Sequence, residues 1–318
     1  MKEYRENYEN VLLLDAGDQS QGTPWYTEYK GRAAAHFMSM LGYDAMAFGN
    51  HEFDFGVSSF VNNFAENITD ESGHTQFPIL GCNIDSSNEN AFHEVYQNST
   101  IVTKNGVKIG IVGYITPDTK FVSDTGLLEF NDVLDSVQKE ADRLRSHGCE
   151  FIIGLGHIGL EHDKELARQS DLDLIIGGHS HSLLSYNSTL DPDDIDRVLG
   201  PYPVFETNTK GRAVPILTAY WSGKYLGAVH IQLQSDGDKY VLTDDIQGQP
   251  ILLDNSVPND IVIQAEIEKW ATPLRTFLSK PIGYSTERLE IHDCRQQECK
   301  IGDLVTDLIS YYYKNVSV

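Results

Sequence analysis

The chain has 318 residues, of which 40% are hydrophobic, a size that suits one large α/β domain or two smaller ones. Lys and Arg number 24 against 47 Asp and Glu, so the formal net charge is −23. Such acidity argues against nucleic acids and anionic membranes as partners, and an anionic substrate would require bound cations that reverse the local field. No apolar run reaches the roughly 18 residues of a membrane-spanning helix.

The first half of the chain repeats one pattern, in which a short apolar run is followed by a Gly-containing polar loop and then by a helical stretch. Short apolar runs bounded by Gly are typical of buried strands. We therefore predict strands at 11–14, 45–48, 77–80, 107–112, 151–155 and 172–176. A helix is predicted over 131–148, where Val137, Ala141 and Leu144 share an apolar stripe that ends at Gly148. Strands that alternate with helices indicate an α/β fold.

The pattern changes near Pro203. Later strands are predicted at 215–219 and 226–233, and a linking helix over 260–278. A last amphipathic helix begins after Cys299, and its apolar stripe consists of Ile301, Leu304, Val305, Leu308, Ile309 and Tyr312. Since only six residues follow Tyr312, we expect a further domain in a longer protein.

Two features of the sequence bear on the secretory pathway. Four N-x-S/T sequons are candidate glycosylation sites, at Asn67, Asn98, Asn187 and Asn315. The N-terminus is polar and lacks the apolar core of a signal peptide. We expect a protein located outside the cell or on the outer face of the plasma membrane, with a signal peptide that this chain lacks.

The four cysteines leave several pairings open. Cys294 and Cys299 are close enough in sequence to form a disulfide in an oxidising compartment, and two free thiols are the alternative. Cys82 and Cys149 either pair with each other or stay reduced.

Potential metal ligands follow four of the predicted strands. In open α/β sheets, ligands bind beyond the carboxyl ends of the strands. The residues found there are Asp18, Asn50, His51, Asp54, His157, His179 and His181. Carboxylate, amide and imidazole groups together suit divalent transition metals, with Zn²⁺ favoured over Mn²⁺. A lone His or a Gly-Asp turn is usually without function, but four such loops in this order favour a metal site.

The ordered motifs GDxxQG, GNHEFDFG, GHIG and GGHSH resemble those of the calcineurin-like metallophosphoesterases, and among these the 5′-nucleotidase, UDP-sugar hydrolase and apyrase family. The resemblance is closest to the animal ecto-5′-nucleotidases. It implies an α/β/β/α sandwich of two mixed sheets flanked by helices. It also implies a metal-binding domain at 1–257 without its first strand, a linking helix at 258–280, and the start of a truncated C-terminal domain at 281–318.

The resemblance also implies a role for each residue. Asp18 would bridge two divalent ions, whose remaining ligands in this chain would be Asn50, His157, His179 and His181. His51 and Asp54 would form the catalytic dyad, and Arg295, between Cys294 and Cys299, would contact the substrate phosphate. The first D-x-H motif of the family has no counterpart before Val11, so we expect this chain to be part of a longer protein.

These features predict an extracellular enzyme that hydrolyses the 5′-phosphate of nucleotides such as AMP by direct attack of water. An apyrase that acts on ATP and ADP, or a UDP-sugar hydrolase, would share this domain. A non-catalytic nucleotide-binding or surface protein is the alternative of another class, and a protein phosphatase or cyclic phosphodiesterase fits the linking helix and Cys segment less well. A membrane anchor or a homodimer would arise only through a C-terminal region beyond this chain.

Overall fold

The computed structural model describes residues 1–68, 75–186, 190–237, 239–243, 246–291, 294 and 297–315. The chain divides into two compact units, Met1–Trp270 and Ala271–Val318. The boundary between them falls inside one helix, Ile261–Leu278.

The helices are α1 Lys2–Asn7, α2 Pro24–Tyr29, α3 Arg32–Leu41, α4 Val57–Asn63, α5 Thr119–Val122, α6 Val133–Ser146, α7 Leu160–Gln169, α8 Ile261–Leu278 and α9 Lys300–Asn315. The strands are β1 Leu14–Asp15, β2 Ala45–Ala47, β3 Ile79–Leu80, β4 Ile84–Asp85, β5 Ser99–Lys104, β6 Val107–Ile115, β7 Glu129–Phe130, β8 Phe151–His157, β9 Leu174–Gly177, β10 Leu183–Leu184, β11 Val198–Gly200, β12 Val204–Thr207, β13 Ala213–Thr218, β14 Tyr225–His230, β15 Leu233–Asp236, β16 Lys239–Leu242 and β17 Gln247–Leu252. Short 3-10 turns occupy Asn50–Phe53, Ala65–Ile68 and Pro192–Arg197.

A six-stranded mixed sheet in the order β12-β13-β9-β8-β6-β5 forms the larger layer. Its four inner strands are parallel, and the two edge strands are antiparallel to their neighbours. All seven residues of β8 are buried, which explains why the strand reads as an apolar run rather than an alternating one. Helix α6 buries Val137, Ala141 and Leu144 in the core of this layer.

A smaller parallel sheet in the order β1-β2-β3 forms the second layer. Leu80 of β3 approaches Gly113 of β6 so closely that a Cβ on residue 113 would lie 2.2 Å from the Leu80 Cβ. The two sheets therefore pack face to face. A second core of closely packed aromatic rings, including Phe48, Phe53 and Phe60, fills the far side of the smaller sheet. The predicted α/β fold of mixed sheets flanked by helices is confirmed.

The predicted elements of the inner layers are confirmed, with shifted ends. The predicted strand 11–14 corresponds to β1, and the predicted strand 172–176 corresponds to β9. Both observed strands begin and end later in the chain than predicted. The predicted helix 131–148 is α6; the side chain of Asp132 accepts from the Asp135 amide, and Gly148 has a φ of +83°. The predicted strand 226–233 is divided between β14 and β15. No helix in the described part of the chain has both the length and the hydropathy that crossing a bilayer requires.

In the second unit, Cys294 and Cys299 are joined by a disulfide. Helix α9 follows it at once, and its apolar residues Leu304, Val305 and Leu308 are exposed. In the first unit, Cys82 and Cys149 are both free thiols.

Candidate active site

The carboxyl ends of strands from both sheets bring three of the predicted ligands together. Asp18 follows β1, His157 is the last residue of β8, and His179 lies two residues beyond β9. One side-chain oxygen or nitrogen from each lies within 4.8 Å of the other two. Asp18 and His157 are 139 residues apart in sequence, and His157 and His179 are 22 apart, so the fold brings the three together.

The chain segments around these ligands approach one another so closely that two positions, 49 and 178, have no room for a side chain. A Cβ on Gly49 would lie 2.2 Å from Asp18 Oδ1, and a Cβ on Gly178 would lie 2.8 Å from His157 Nδ1. Asp18 and His179 adopt the left-handed backbone region, with φ of +64° and +76°. This region is costly for residues other than Gly, and such strain is typical of functional sites.

His157 is oriented for a metal ion. Its Nδ1–H donates to the Ala16 carbonyl at 2.6 Å, which leaves the Nε2 lone pair directed into the cluster. Nε2 lies 2.9 Å from Asp18 Oδ2 but makes no well-directed hydrogen bond with any described residue, although His157 is only 2% exposed. A buried nitrogen whose close neighbours are a carboxylate and a second imidazole fits a divalent cation. Burial opposes the charged ring, but the Asp18 carboxylate raises the pKa of His157 above its ordinary value.

Asn50 and His179 complete this side of the cluster. His179 Nδ1 lies 3.1 Å from Asn50 Oδ1, and the His157 and His179 rings are 5.0 Å apart. Burial and the neighbouring His157 lower the pKa of His179. A neutral imidazole is the form that binds metal.

The predicted dyad lies next to this cluster. His51 Nδ1–H donates to Asp54 Oδ2 at 2.8 Å, three residues along the same turn. The His51 backbone N–H donates to Asp18 Oδ1 at 3.0 Å, so the dyad is tied to the central carboxylate. The Ser123 hydroxyl donates to the Asn50 carbonyl at 2.8 Å and lies 3.4 Å from Asp54 Oδ1.

Other predicted site residues lie elsewhere. His181 is exposed and stacks on Trp221 with ring centroids 5.3 Å apart, and it is not part of the three-ligand group. Arg295 and Asn187 fall outside the described residues, as does the side chain of Asn315 at the end of α9. Asn67 and Asn98 are both exposed.

Glu52 is a site residue to which sequence reasoning assigned no role. Its carboxylate accepts from the backbone N–H groups of Gly49 at 2.6 Å, Asp18 at 2.8 Å and Ser20 at 3.0 Å. It is 1% exposed, and burial together with the Asp18 charge raises its pKa to about 8. One side chain thus joins the loops after β1 and β2. An acid at the third position of a helical turn is a capping signal that could have identified it.

Beneath the ligand loops lies a second buried acid. Asp163 of α7 accepts from the Tyr114 hydroxyl at 3.0 Å, and burial raises its pKa to about 7. The space for this pair exists because residues 156 and 177 are glycines. A Cβ on Gly156 would lie 1.8 Å from the Tyr114 ring, and one on Gly177 would lie 2.0 Å from Asp163 Oδ2.

Comparison with known proteins gives consistent matches. Residues 1–183 match the family described as Calcineurin-like phosphoesterase. The chain is 39% identical to the 5′-nucleotidases of Mus musculus and Homo sapiens, over 96% of its own length and 52% of theirs. Among solved structures, a 5′-nucleotidase precursor from Thermus thermophilus superposes with a TM-score of 0.85 at 30% identity, over 99% of this chain and 60% of the other. The chain thus spans about half the length of the curated relatives it matches.

Proposed function

Because the chain belongs to the calcineurin-like phosphoesterase family, we propose that it carries the catalytic machinery of a hydrolase that converts nucleoside 5′-monophosphates and water into nucleosides and phosphate. The observation that supports this most directly is the convergence of Asp18, His157 and His179 beside the His51–Asp54 pair. The 39% identity to proteins named 5′-nucleotidase supports a nucleotide as the substrate.

Calcineurin-like phosphoesterases bind two divalent metal ions. In this chain Asp18, Asn50, His157 and His179 would hold them, with His181 as a further ligand, and Zn²⁺ suits this donor set best, ahead of Mn²⁺. When bound, such ions neutralise the phosphate charge and lower the pKa of coordinated water toward 7.

The chain's own residues would bind and protonate the substrate. Asp54 holds the His51 ring through Nδ1, so that Nε2 faces outward for the leaving group. Water that has released a proton to solvent would bond through its oxygen to phosphorus as the bond to the ribose 5′-oxygen breaks. His51, protonated on both ring nitrogens at this stage, would donate its Nε2 proton to that leaving oxygen and then regain a proton from solvent. Asn50 and His51 would also stabilise charge on the equatorial phosphate oxygens. Arg295 stays a proposed contact of the substrate phosphate.

The direct test is phosphate release by the purified chain from AMP, ADP, ATP and UDP-glucose. We expect AMP to be the best substrate, activity to be lost on chelation, and Zn²⁺ or Mn²⁺ to restore it. Preference for ATP and ADP would indicate an apyrase, and preference for UDP-glucose a sugar hydrolase. Wild-type protein that binds two zinc ions and still hydrolyses none of the four would favour the non-catalytic alternative.

His51→Ala should lower kcat on AMP by about 100-fold or more, because a positioned general acid contributes that much. Gln169→Ala, which changes an exposed residue of α7, is the matched control and should retain wild-type turnover. Turnover by His51→Ala within about twofold of wild type would refute the dyad.

We also propose that the protein enters the secretory pathway and acts outside the cell. The disulfide between Cys294 and Cys299 requires an oxidising compartment to persist. Asn67 and Asn98 are exposed, as glycan acceptors must be.

A further inference from the structure

One polar residue of the GDQSQG loop contacts the reacting imidazole yet has no role in the scheme above. The side-chain amide nitrogen of Gln21 lies 2.7 Å from Nε2 of His51. Gln21 follows β1 and His51 follows β2, so the contact joins residues 30 apart in sequence. Gln21 is exposed, which places this contact at the open face of the site.

In this arrangement both ring nitrogens of His51 have a hydrogen-bond partner. Asp54 is a carboxylate and can only accept, so the proton of the neutral ring lies on Nδ1. Nε2 then carries a lone pair, which the Gln21 amide N–H can fill. When Nε2 is protonated, the same side chain can turn its carbonyl oxygen toward the ring. A primary amide is therefore a partner for both forms of His51.

The backbone of Gln21 is anchored on both sides. Ser20, the preceding residue, donates its N–H to Glu52 at 3.0 Å, and the Thr23 N–H donates to the Gln21 carbonyl at 2.9 Å. The amide therefore projects from a fixed loop rather than from a freely moving one.

We propose that Gln21 is a positioning residue for His51, an inference that rests on the proposed function. Its amide and the Asp54 carboxylate hold opposite nitrogens of the ring, so that the ring plane is set before substrate enters. The leaving ribose oxygen then takes the place of the amide at Nε2. Gln21 does not react; it fixes the angle at which Nε2–H meets the leaving oxygen, and geometry of this kind governs proton transfer.

The first test compares two leaving groups in Gln21→Met, which keeps the side-chain volume and removes the amide. An alkoxide such as the ribose 5′-oxygen needs a proton as it leaves, whereas p-nitrophenolate leaves without one. We expect kcat on AMP to fall about tenfold, kcat on p-nitrophenyl phosphate to change less than about twofold, and KM for AMP to stay within about twofold. Gln169→Met on α7 is the matched control and should leave both substrates unaffected.

A double-mutant cycle tests whether Gln21 acts through His51. Gln21→Met added to His51→Ala should cause no further loss on AMP. Equal losses on both substrates, or an additive loss in the double variant, would show that Gln21 supports the metal loop instead and would overturn the proposal.

A readout independent of turnover separates this inference from the proposed function. In ¹⁵N-histidine-labelled, zinc-loaded protein, the His51 ring signals are assigned by their absence in His51→Asn. We expect Gln21→Met to shift the His51 Nε2 signal while His157 and His179 stay unchanged. An unmoved His51 signal overturns the positioning role even in a protein that proves active, and a shifted signal supports it even if AMP is not the substrate.

Discussion

At the scale of single residues, the Tyr114–Asp163 pair shows how the site is supported from below. Both side chains are fully buried, and Asp163 Oδ2 has no hydrogen-bond partner among the described residues. Burial disfavours the carboxylate and raises the pKa of Asp163 from 3.8 to about 7. The folded state is therefore most stable when Asp163 is protonated.

This pKa predicts a pH-dependent stability. Between pH 4 and 7 the folded state binds a proton that the unfolded state releases, so this contribution declines as pH rises through that range and is lost above about pH 7. Asp163→Asn removes the ionisation and keeps an oxygen for the Tyr114 hydroxyl. We expect its Tm, relative to wild type, to increase from pH 5 to pH 8, with a free-energy change of roughly 3 kcal/mol, since about two units of the pKa shift lie in this range and one unit corresponds to about 1.4 kcal/mol.

Thermal unfolding followed by circular dichroism over that pH range provides the measurement. Asp142→Asn on the exposed side of α6 is the control. Melting curves of Asp163→Asn and wild type that move in parallel with pH would contradict the assignment.

At the scale of elements, the strand ends determine where ligands meet. β9 ends at Gly177, and Gly178 then passes beside His157 before His179 turns inward. A side chain on residue 178 would lie 2.8 Å from His157 Nδ1 and 2.9 Å from the Ala16 carbonyl, the two atoms that share the orienting hydrogen bond.

Gly178→Ala should therefore impair the site more than the fold. The methyl group displaces the His157 ring, and we expect activity on AMP to fall about 100-fold, the effect of misplacing a catalytic group by about 1 Å. Overpacking of this size costs about 1–3 kcal/mol of stability. Gly283→Ala, where a Cβ meets nothing within 4 Å, is the control. Zinc content and phosphate release, measured together, check the prediction; wild-type values for both would refute it.

The elements also show which parts of the fold sequence patterns reveal. Strands β6 and β8 are buried along most of their length and read as apolar runs. Strands β12 and β15 are partly exposed, so their composition carries little signal.

Within the site, the proposed ligands could be predicted because each lies at or just after a strand end, next to Gly residues. Gln21 could not, because its partner His51 lies 30 residues away and only the pairing of β1 with β2 brings the two near. The capping position of Glu52 was a signal in the sequence, but its contact with Asp18, 34 residues away, was not. Ser123 was missed for the same reason, since its partner Asn50 is 73 residues distant.

At the scale of the whole molecule, the net charge of −23 repels the anionic substrate that the site is proposed to bind. Divalent ions bound at the proposed centre would reverse the field locally, so that attraction would be confined to that centre. The same charge opposes non-specific association between copies of the chain.

The proposed secretory route predicts glycans at exposed sequons. Expressed behind a secretion signal in animal cells, the protein should lose apparent mass on treatment with an N-glycosidase. Asn67→Gln and Asn98→Gln should each remove one glycan, because both side chains are exposed. Mobility unchanged by the glycosidase would contradict this assignment.

Asp18, His179 and His181 all have positive φ, at +64°, +76° and +50°. Each side chain is thus retained against the preference of its own backbone, at about 1–2 kcal/mol per residue. Glycine at these three points would relax the backbone and would remove the proposed donor atoms of Asp18 and His179. A glycine version would therefore be less strained but unable to hold metal or nucleotide, so backbone relaxation and substrate capture oppose each other at these points of the chain.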